Sequence, residues 1–151
     1  MLVGLLGAGV AACSERDTAV PIDAHDPEMT AAIATARDTL PSFWEVFATR
    51  PRGESRFLLK VRITDRHGTE HFWVKDIERR DGKIVGTIDN DPNLVASVKV
   101  GDRIEVREAD ISDGVYLRDG KMVGNRTLPA MFKKLPAAEV ERYKRELAEE
   151  F

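Results

Sequence analysis

The side chains that most often carry chemistry are few in this sequence, which has three histidines, His25, His67 and His71, and one cysteine, Cys13. His67 and His71 are spaced like a pair of metal ligands on a helix, but along an extended strand four residues cover about 13 Å, too far for one ion. A turn at Gly68 would bring the two rings closer. The chain also has no Gly-x-Ser-x-Gly elbow that would present a nucleophile. We therefore expect no metal site and no catalytic residue among these side chains.

Carboxylates offer a second set of candidates. Asp89 and Asp91 open a segment that imitates a calcium-binding loop, but an EF-hand requires Gly at the sixth position and Glu at the twelfth, where this chain has Leu94 and Val100. A turn with a helix cap explains the segment better. The alternative is a small hydrolase or transferase that uses Asp89, Asp91 or Asp113, which would need a cleft and a carboxyl group of raised pKa. No cofactor is implied by either interpretation.

Cys13 follows twelve residues that carry no charged side chain. The sequence Val10-Ala11-Ala12-Cys13 resembles the bacterial lipobox, in which the cysteine is lipidated on sulfur and becomes the new N-terminus. Acyl chains contribute about 0.8 kcal/mol per buried CH₂, so several chains on one residue hold a protein at a membrane without a spanning helix. We predict a signal peptide over residues 1–12 and a lipidated tether over residues 13–25. The alternative is a short buried helix with an ordinary thiol.

The residue after the cysteine predicts the location of the protein. Ser14, with no Asp at that position, is similar to the pattern of outer-membrane lipoproteins. We therefore expect a protein anchored in the bacterial envelope, facing the periplasm, with the membrane as its first partner.

A basic stretch with an aromatic neighbour is the strongest candidate for partner binding. Lys60 and Arg62 alternate along one predicted strand, and Trp73 and Lys75 lie on the next. If these four side chains share an exposed sheet face, they form a docking patch for a protein or an envelope polymer. The alternative is that the helix beginning at Pro27 covers this face.

Composition limits the remaining classes. The chain has 151 residues, with 23 basic and 26 acidic side chains and a formal charge of -3. This balance does not favour a nucleic-acid partner. The length fits one globular domain with a tail.

The periodicity predicts an α+β fold: an N-terminal helix, an antiparallel sheet of about five strands and C-terminal helices. Asp26-Pro27 is a helix start, and Pro41 should break or kink that helix. Alternating apolar residues over 57–63 predict a half-buried strand, and Asp81-Gly82 supplies a later turn. The domain is expected over residues 26–135, with a helical tail over 136–151.

Several short motifs along these strands resemble one bacterial family, the domain of unknown function 2314. They are Phe72-Trp73-Val74, the stretches 86–92 and 99–104, Ile111-Ser112-Asp113, and the stretch 120–125. The resemblance covers roughly residues 26–135 and departs at Gly114, where the family has an aromatic residue. It implies a compact α+β domain and transfers no activity, cofactor or site.

The functional expectation is a lipid-anchored, non-catalytic binding module. Two alternatives stay open. One is an inhibitor or immunity-like protein that caps a partner, and it requires a large exposed acidic or apolar patch. The other is the carboxylate enzyme described above.

Overall fold

The computed structural model describes residues 1–3, 20–21 and 25–148. The predicted lipobox, including Cys13, lies outside these ranges, as does the end of the tail from residue 149. None of the helices in the described ranges has the length and apolar character needed to cross a bilayer.

Within these ranges three α-helices flank the sheet: α1 (Pro27–Asp38), α2 (Leu40–Thr49) and α3 (Ala137–Glu146). The Asp26 carboxylate caps α1 by accepting hydrogen bonds from the backbone N–H groups of Glu28 (2.9 Å) and Met29 (3.1 Å), which satisfies amides that have no partner in the first turn. The break predicted at Pro41 is confirmed and falls at Thr39, between α1 and α2.

Eight strands form the sheet in the part of the chain that the structure describes. They are β1 (Leu2–Val3), β2 (Val20–Pro21), β3 (Glu54–Asp65), β4 (Gly68–Arg80), β5 (Lys83–Ile88), β6 (Arg103–Val106), β7 (Ile111–Arg118) and β8 (Lys121–Gly124). The order is β2-β1-β4-β3-β7-β8, and β5 joins β4 to β6. The α+β class is confirmed, and β3 to β8 form an antiparallel sheet of six strands rather than about five. The additional pair β1 and β2 lies beside β4, and β1 runs parallel to it.

Both faces of the sheet are covered at its centre, so the half-buried strand predicted over 57–63 is buried on both sides from Phe57 to Val61. One face packs against α2, whose Phe43 and Phe47 rings meet Phe57. The other face packs against α1, the 3-10 helix Pro129–Lys134 and α3. Two cores therefore share one sheet, and each strand at the centre contributes alternate side chains to both.

Candidate functional site

The four side chains predicted to form a docking patch do not share an exposed face. Lys60 and Trp73 are each only 1% exposed, whereas the side chains of Arg62 and Lys75 are 52% and 46% exposed. The prediction of an exposed face around Trp73 and Lys60 is therefore wrong, because Met29 of α1 and the 3-10 helix pack over Trp73. The alternative, cover by the helix that begins at Pro27, describes the structure.

Lys60 instead belongs to a buried polar network. Its Nζ lies 2.8 Å from Oγ1 of Thr127, which donates to Oδ2 of Asp113 at 2.8 Å. The backbone N–H of Thr127 reaches the same Asp113 oxygen at 2.7 Å, and that of Gly114 reaches Oδ1 at 2.8 Å. The ammonium also lies 4.5 Å from the centre of the Trp73 ring, a favourable position for a cation. The network ties β3, β7 and the segment before the 3-10 helix together inside the second core.

A second buried group pairs His71 with Ser112, whose Nδ1 and Oγ are 2.8 Å apart. Because the Ser112 hydroxyl donates to the carbonyl oxygen of Lys60 at 3.1 Å, Nδ1 of His71 must carry the proton and Nε2 the lone pair. Burial, followed by the positive charges of Lys60 and Arg62, lowers the pKa of His71 to about 3. In this arrangement the Ser112 proton points at a backbone carbonyl oxygen, and Nδ1 of His71 already carries a proton directed at Ser112.

The three carboxylates of the enzyme alternative lie in different environments. Asp113 is buried in the network above, Asp91 is exposed, and Asp89 pairs with Lys75 at 2.6 Å. This hydrogen bond raises the pKa of Lys75. Within the described residues, no three His, Cys, Asp or Glu side chains come close enough to share a metal ion.

Two buried polar residues that the sequence interpretation missed hold the loop between β5 and β6. The Glu70 carboxylate, 1% exposed, accepts hydrogen bonds from the backbone N–H groups of residues 93–95 at 3.0 to 3.2 Å. Oδ1 of Asn90 accepts from the backbone N–H of Trp73 at 2.8 Å. The sequence Asn90-Asp91-Pro92 predicts a turn, but the hydrogen bond that attaches this turn to β4 joins residues seventeen positions apart, which no local pattern predicts.

An opening of the described structure lies where β3 and β4 separate. The two strands pair from Leu59 opposite Val74 to Asp65 opposite Gly68. Beyond Leu59, β3 pairs only with β7 among the described strands, and beyond Val74, β4 pairs only with β5. Each diverging segment contains a bulge with a residue of positive φ, Arg56 (51°) in β3 and Asp76 (49°) in β4. Bulges bend and twist a strand, and here they divide the sheet.

The space between the diverging segments, named here the β3–β4 cleft, has a volume of 850 Å³. Its apolar walls are Phe47, Phe57, Leu58, Ile77, Val115 and Leu117, and its polar rim is Arg50, Glu54, Ser55, Arg56, Lys75, Asp76, Glu78 and Asp89.

Most charges on this rim are already paired. Glu54 accepts from Arg118 at 2.6 Å, Glu78 from Arg103 at 2.5 Å, and Asp89 holds Lys75. The guanidinium of Arg50 lies 4.6 Å from the centre of the Phe47 ring. Arg56 is exposed, and its side chain makes no hydrogen bond or ion pair with the described part of the chain. The cleft thus combines unpaired strand edges, an apolar floor and an available cation.

Comparison with known proteins identifies the family. The model of a family described as an uncharacterized protein conserved in bacteria, DUF2314, matches residues 26–151. The chain belongs to the DUF2314 family.

Two relatives in this comparison share about a third of their aligned residues with the chain. The chain is 31% identical over 148 residues to the uncharacterized protein YegJ of Escherichia coli K12. The match covers 97% of this chain and 95% of the relative. The chain is 30% identical over 118 residues to the putative ankyrin repeat protein NMB1133/NMB1171 of Neisseria meningitidis serogroup B. That match covers 73% of this chain and 47% of the relative, so it spans about half of that protein. No solved structure matches the chain.

Proposed function

We propose that this DUF2314 protein is a lipid-anchored, non-catalytic binding module of the bacterial envelope, and that its binding site is the β3–β4 cleft. The observation that carries the binding function is the pair of strand edges that face each other across this opening without a described partner. The anchor rests on the sequence around Cys13.

The unpaired edges indicate which class of ligand the cleft takes. The edge of a strand presents N–H and C=O groups that pair with an added strand. A strand rises about 3.3 Å per residue, with neighbours about 4.8 Å away and packed layers about 10 Å apart, so each extended residue fills roughly 160 Å³. The 850 Å³ of the cleft therefore hold about five residues of extended chain. We assign the site to an extended segment of a partner protein.

Charge and polarity refine the ligand further. The floor contributed by Leu58, Ile77 and Val115 is apolar, so alternate side chains of the segment should be apolar as well. Arg56 offers a guanidinium that no carboxylate of the described residues neutralises, and a carboxylate is its best partner. The expected ligand is an extended segment with alternate apolar residues and an acidic residue beside Arg56.

Selection of peptides on the full chain tests this assignment. We expect selected peptides displayed on phage to alternate apolar residues and to carry Asp or Glu, and we expect Arg56→Glu to replace the acidic preference with a basic one. Arg80→Glu is the matched control, since Arg80 is exposed at the far end of β4, and it should leave the preference unchanged. Failure to enrich any peptide, or a preference indifferent to Arg56→Glu, would refute the site.

The anchor is tested separately in a bacterium that expresses the full chain beside Cys13→Ser. Intact mass and membrane fractionation should show loss of residues 1–12, added acyl mass and membrane association for the wild type alone. A wild type that stays unprocessed and unattached would refute the anchor and leave the cleft in place.

A second candidate function, capping of a partner protein, is favoured by one observation. The exposed large apolar side chains in the described residues are Leu94 (37%) and Val100 (47%), and both lie on the loop between β5 and β6. If this loop caps a partner, Leu94→Asp with Val100→Asp should abolish stoichiometric co-purification, whereas Arg56→Glu should not. The reverse pattern would exclude this candidate.

A further inference from the structure

The edge of β4 opposite β3 accepts the start of this chain as an additional strand. β1 runs parallel to β4, with Leu2 opposite Glu70 and Val3 opposite His71. β5 pairs with the same edge of β4, beginning at Val74. The other side of β1 pairs antiparallel with β2. An extended segment of two residues therefore fills a slot between β4 and β2, with a strand on each side.

Met1 extends this segment into the second core. Its side chain is partly buried and packs against the apolar cluster that contains Met29 and Trp73. It lines a cavity of 320 Å³ and an adjoining one of 580 Å³, and Arg62 and Asp110 line both. This place, named here the Met1 seat, therefore receives a flexible unbranched apolar side chain.

The charged side chains around the seat are already neutralised. Asp110 accepts from Arg62 at 3.2 Å and from Arg107 at 2.6 Å. Arg37 donates to three backbone carbonyl oxygens, the closest being that of Ile111 at 2.7 Å. A charged side chain entering the seat would compete with these bonds for its counter-charge, so the seat favours a neutral apolar side chain.

One buried polar atom in the smaller cavity is left unsatisfied. His71 is 2% exposed and lines this cavity, and its Nε2 has no hydrogen-bond partner among the described residues. Its Nδ1 is occupied by Ser112, which leaves Nε2 as an acceptor. A buried acceptor without a donor is costly, and a ligand that supplies an N–H or O–H group removes that cost.

We propose that the slot between β4 and β2 is a second peptide-binding site, which residues 1–3 occupy in the precursor and which processing at Cys13 opens. The mature protein then binds an extended apolar segment of a partner polypeptide as a parallel strand beside Glu70 and His71. An unbranched apolar side chain takes the Met1 seat, and a donor from the segment reaches Nε2 of His71. This inference depends on the signal peptide of the proposed function and not on the β3–β4 cleft.

The test compares the processed protein, extracted from the membrane in detergent, with the Cys13→Ser protein, which retains residues 1–12. The probe is a fluorescent peptide with the sequence of residues 1–7, and binding is followed by anisotropy. We expect the processed protein to bind at least tenfold more tightly than Cys13→Ser. Replacing the first residue of the probe by Asp should abolish binding. Equal binding by the two proteins, or none by the processed form, would overturn the proposal.

A second arm separates this inference from the anchor. If intact mass shows that the wild type keeps residues 1–12, the anchor is refuted, and the slot is then tested in the full chain with Leu2→Pro and Val3→Pro. Proline has no N–H to donate to the edge of β4, so these changes should release β1 and allow the probe to bind. Absence of binding by the double-proline protein would refute the slot itself.

Discussion

Thr127→Val is the substitution whose consequence follows most directly from the buried polar network. Oγ1 of Thr127 accepts from Nζ of Lys60 at 2.8 Å and donates to Oδ2 of Asp113 at 2.8 Å, and all three residues are 1% exposed. Valine has almost the same shape as threonine, so it removes both bonds without creating a cavity. Asp113 keeps its bond from the backbone N–H of residue 127, whereas Lys60 loses a buried acceptor.

The size of the effect follows from the charge of the two partners. A hydrogen bond to a charged group contributes about 1.5–3 kcal/mol, and a buried group left unsatisfied loses its full desolvation cost. Two such bonds give an upper limit of about 6 kcal/mol, and relaxation around Lys60 brings the expected loss to about 3 kcal/mol. In a domain of this size the midpoint of thermal unfolding should fall by roughly 6–12 °C.

Urea unfolding followed by tryptophan fluorescence and circular dichroism measures this loss. Thr127→Ser is the matched control, because it keeps the hydroxyl and loses only a methyl group, at a cost of about 1 kcal/mol. In a Lys60→Met background the cost of Thr127→Val should shrink by at least about 1 kcal/mol, since one of the two bonds is already absent. A serine variant as unstable as the valine variant, or additive effects in the double variant, would refute the network as a source of stability.

Three further outcomes are expected. Burial lowers the pKa of His71 to about 3 in the folded protein, against 6.5 in the unfolded chain. As the pH falls, the unfolded state therefore binds the proton first, and the free energy of unfolding should fall by about 2 kcal/mol between pH 8 and pH 5. His71→Gln should flatten this dependence while the exposed His67→Gln does not, and a slope unchanged in His71→Gln would contradict the assignment. Glu70→Gln should lower the free energy of unfolding by about 2 kcal/mol and speed hydrogen exchange at the loop amides that donate to the carboxylate. Unaltered exchange at these amides would show that Glu70 does not hold the loop. Gly124→Ala should destabilise the protein more than Gly120→Ala. Both glycines have positive φ, but of the two only Gly124 would place a Cβ against a backbone carbonyl oxygen, at 2.1 Å. Equal midpoints of unfolding for the two variants would exclude that clash.

Much of the local structure could be predicted from the sequence, because helix caps, turns and strand periodicity depend on neighbouring residues. Asp26-Pro27 begins α1, and Asp81-Gly82 makes the turn between β4 and β5 with φ of 50° and 76°. The α+β class and the family follow from the same patterns. The anchor at Cys13, the envelope location and the binding role stay predictions.

Only the tertiary structure decided which surfaces remain available. The alternation along β4 places Trp73 on the face opposite Phe72 and Val74, but it does not say whether that face meets solvent. That depends on α1 and the 3-10 helix, which are distant in sequence and cover Trp73. The β3–β4 cleft lies beside two bulges with positive φ, at Arg56 and Asp76, and neither residue type predicts a bulge inside a strand. Local patterns therefore determine the elements, while burial and the division of the sheet depend on contacts between residues far apart in the chain.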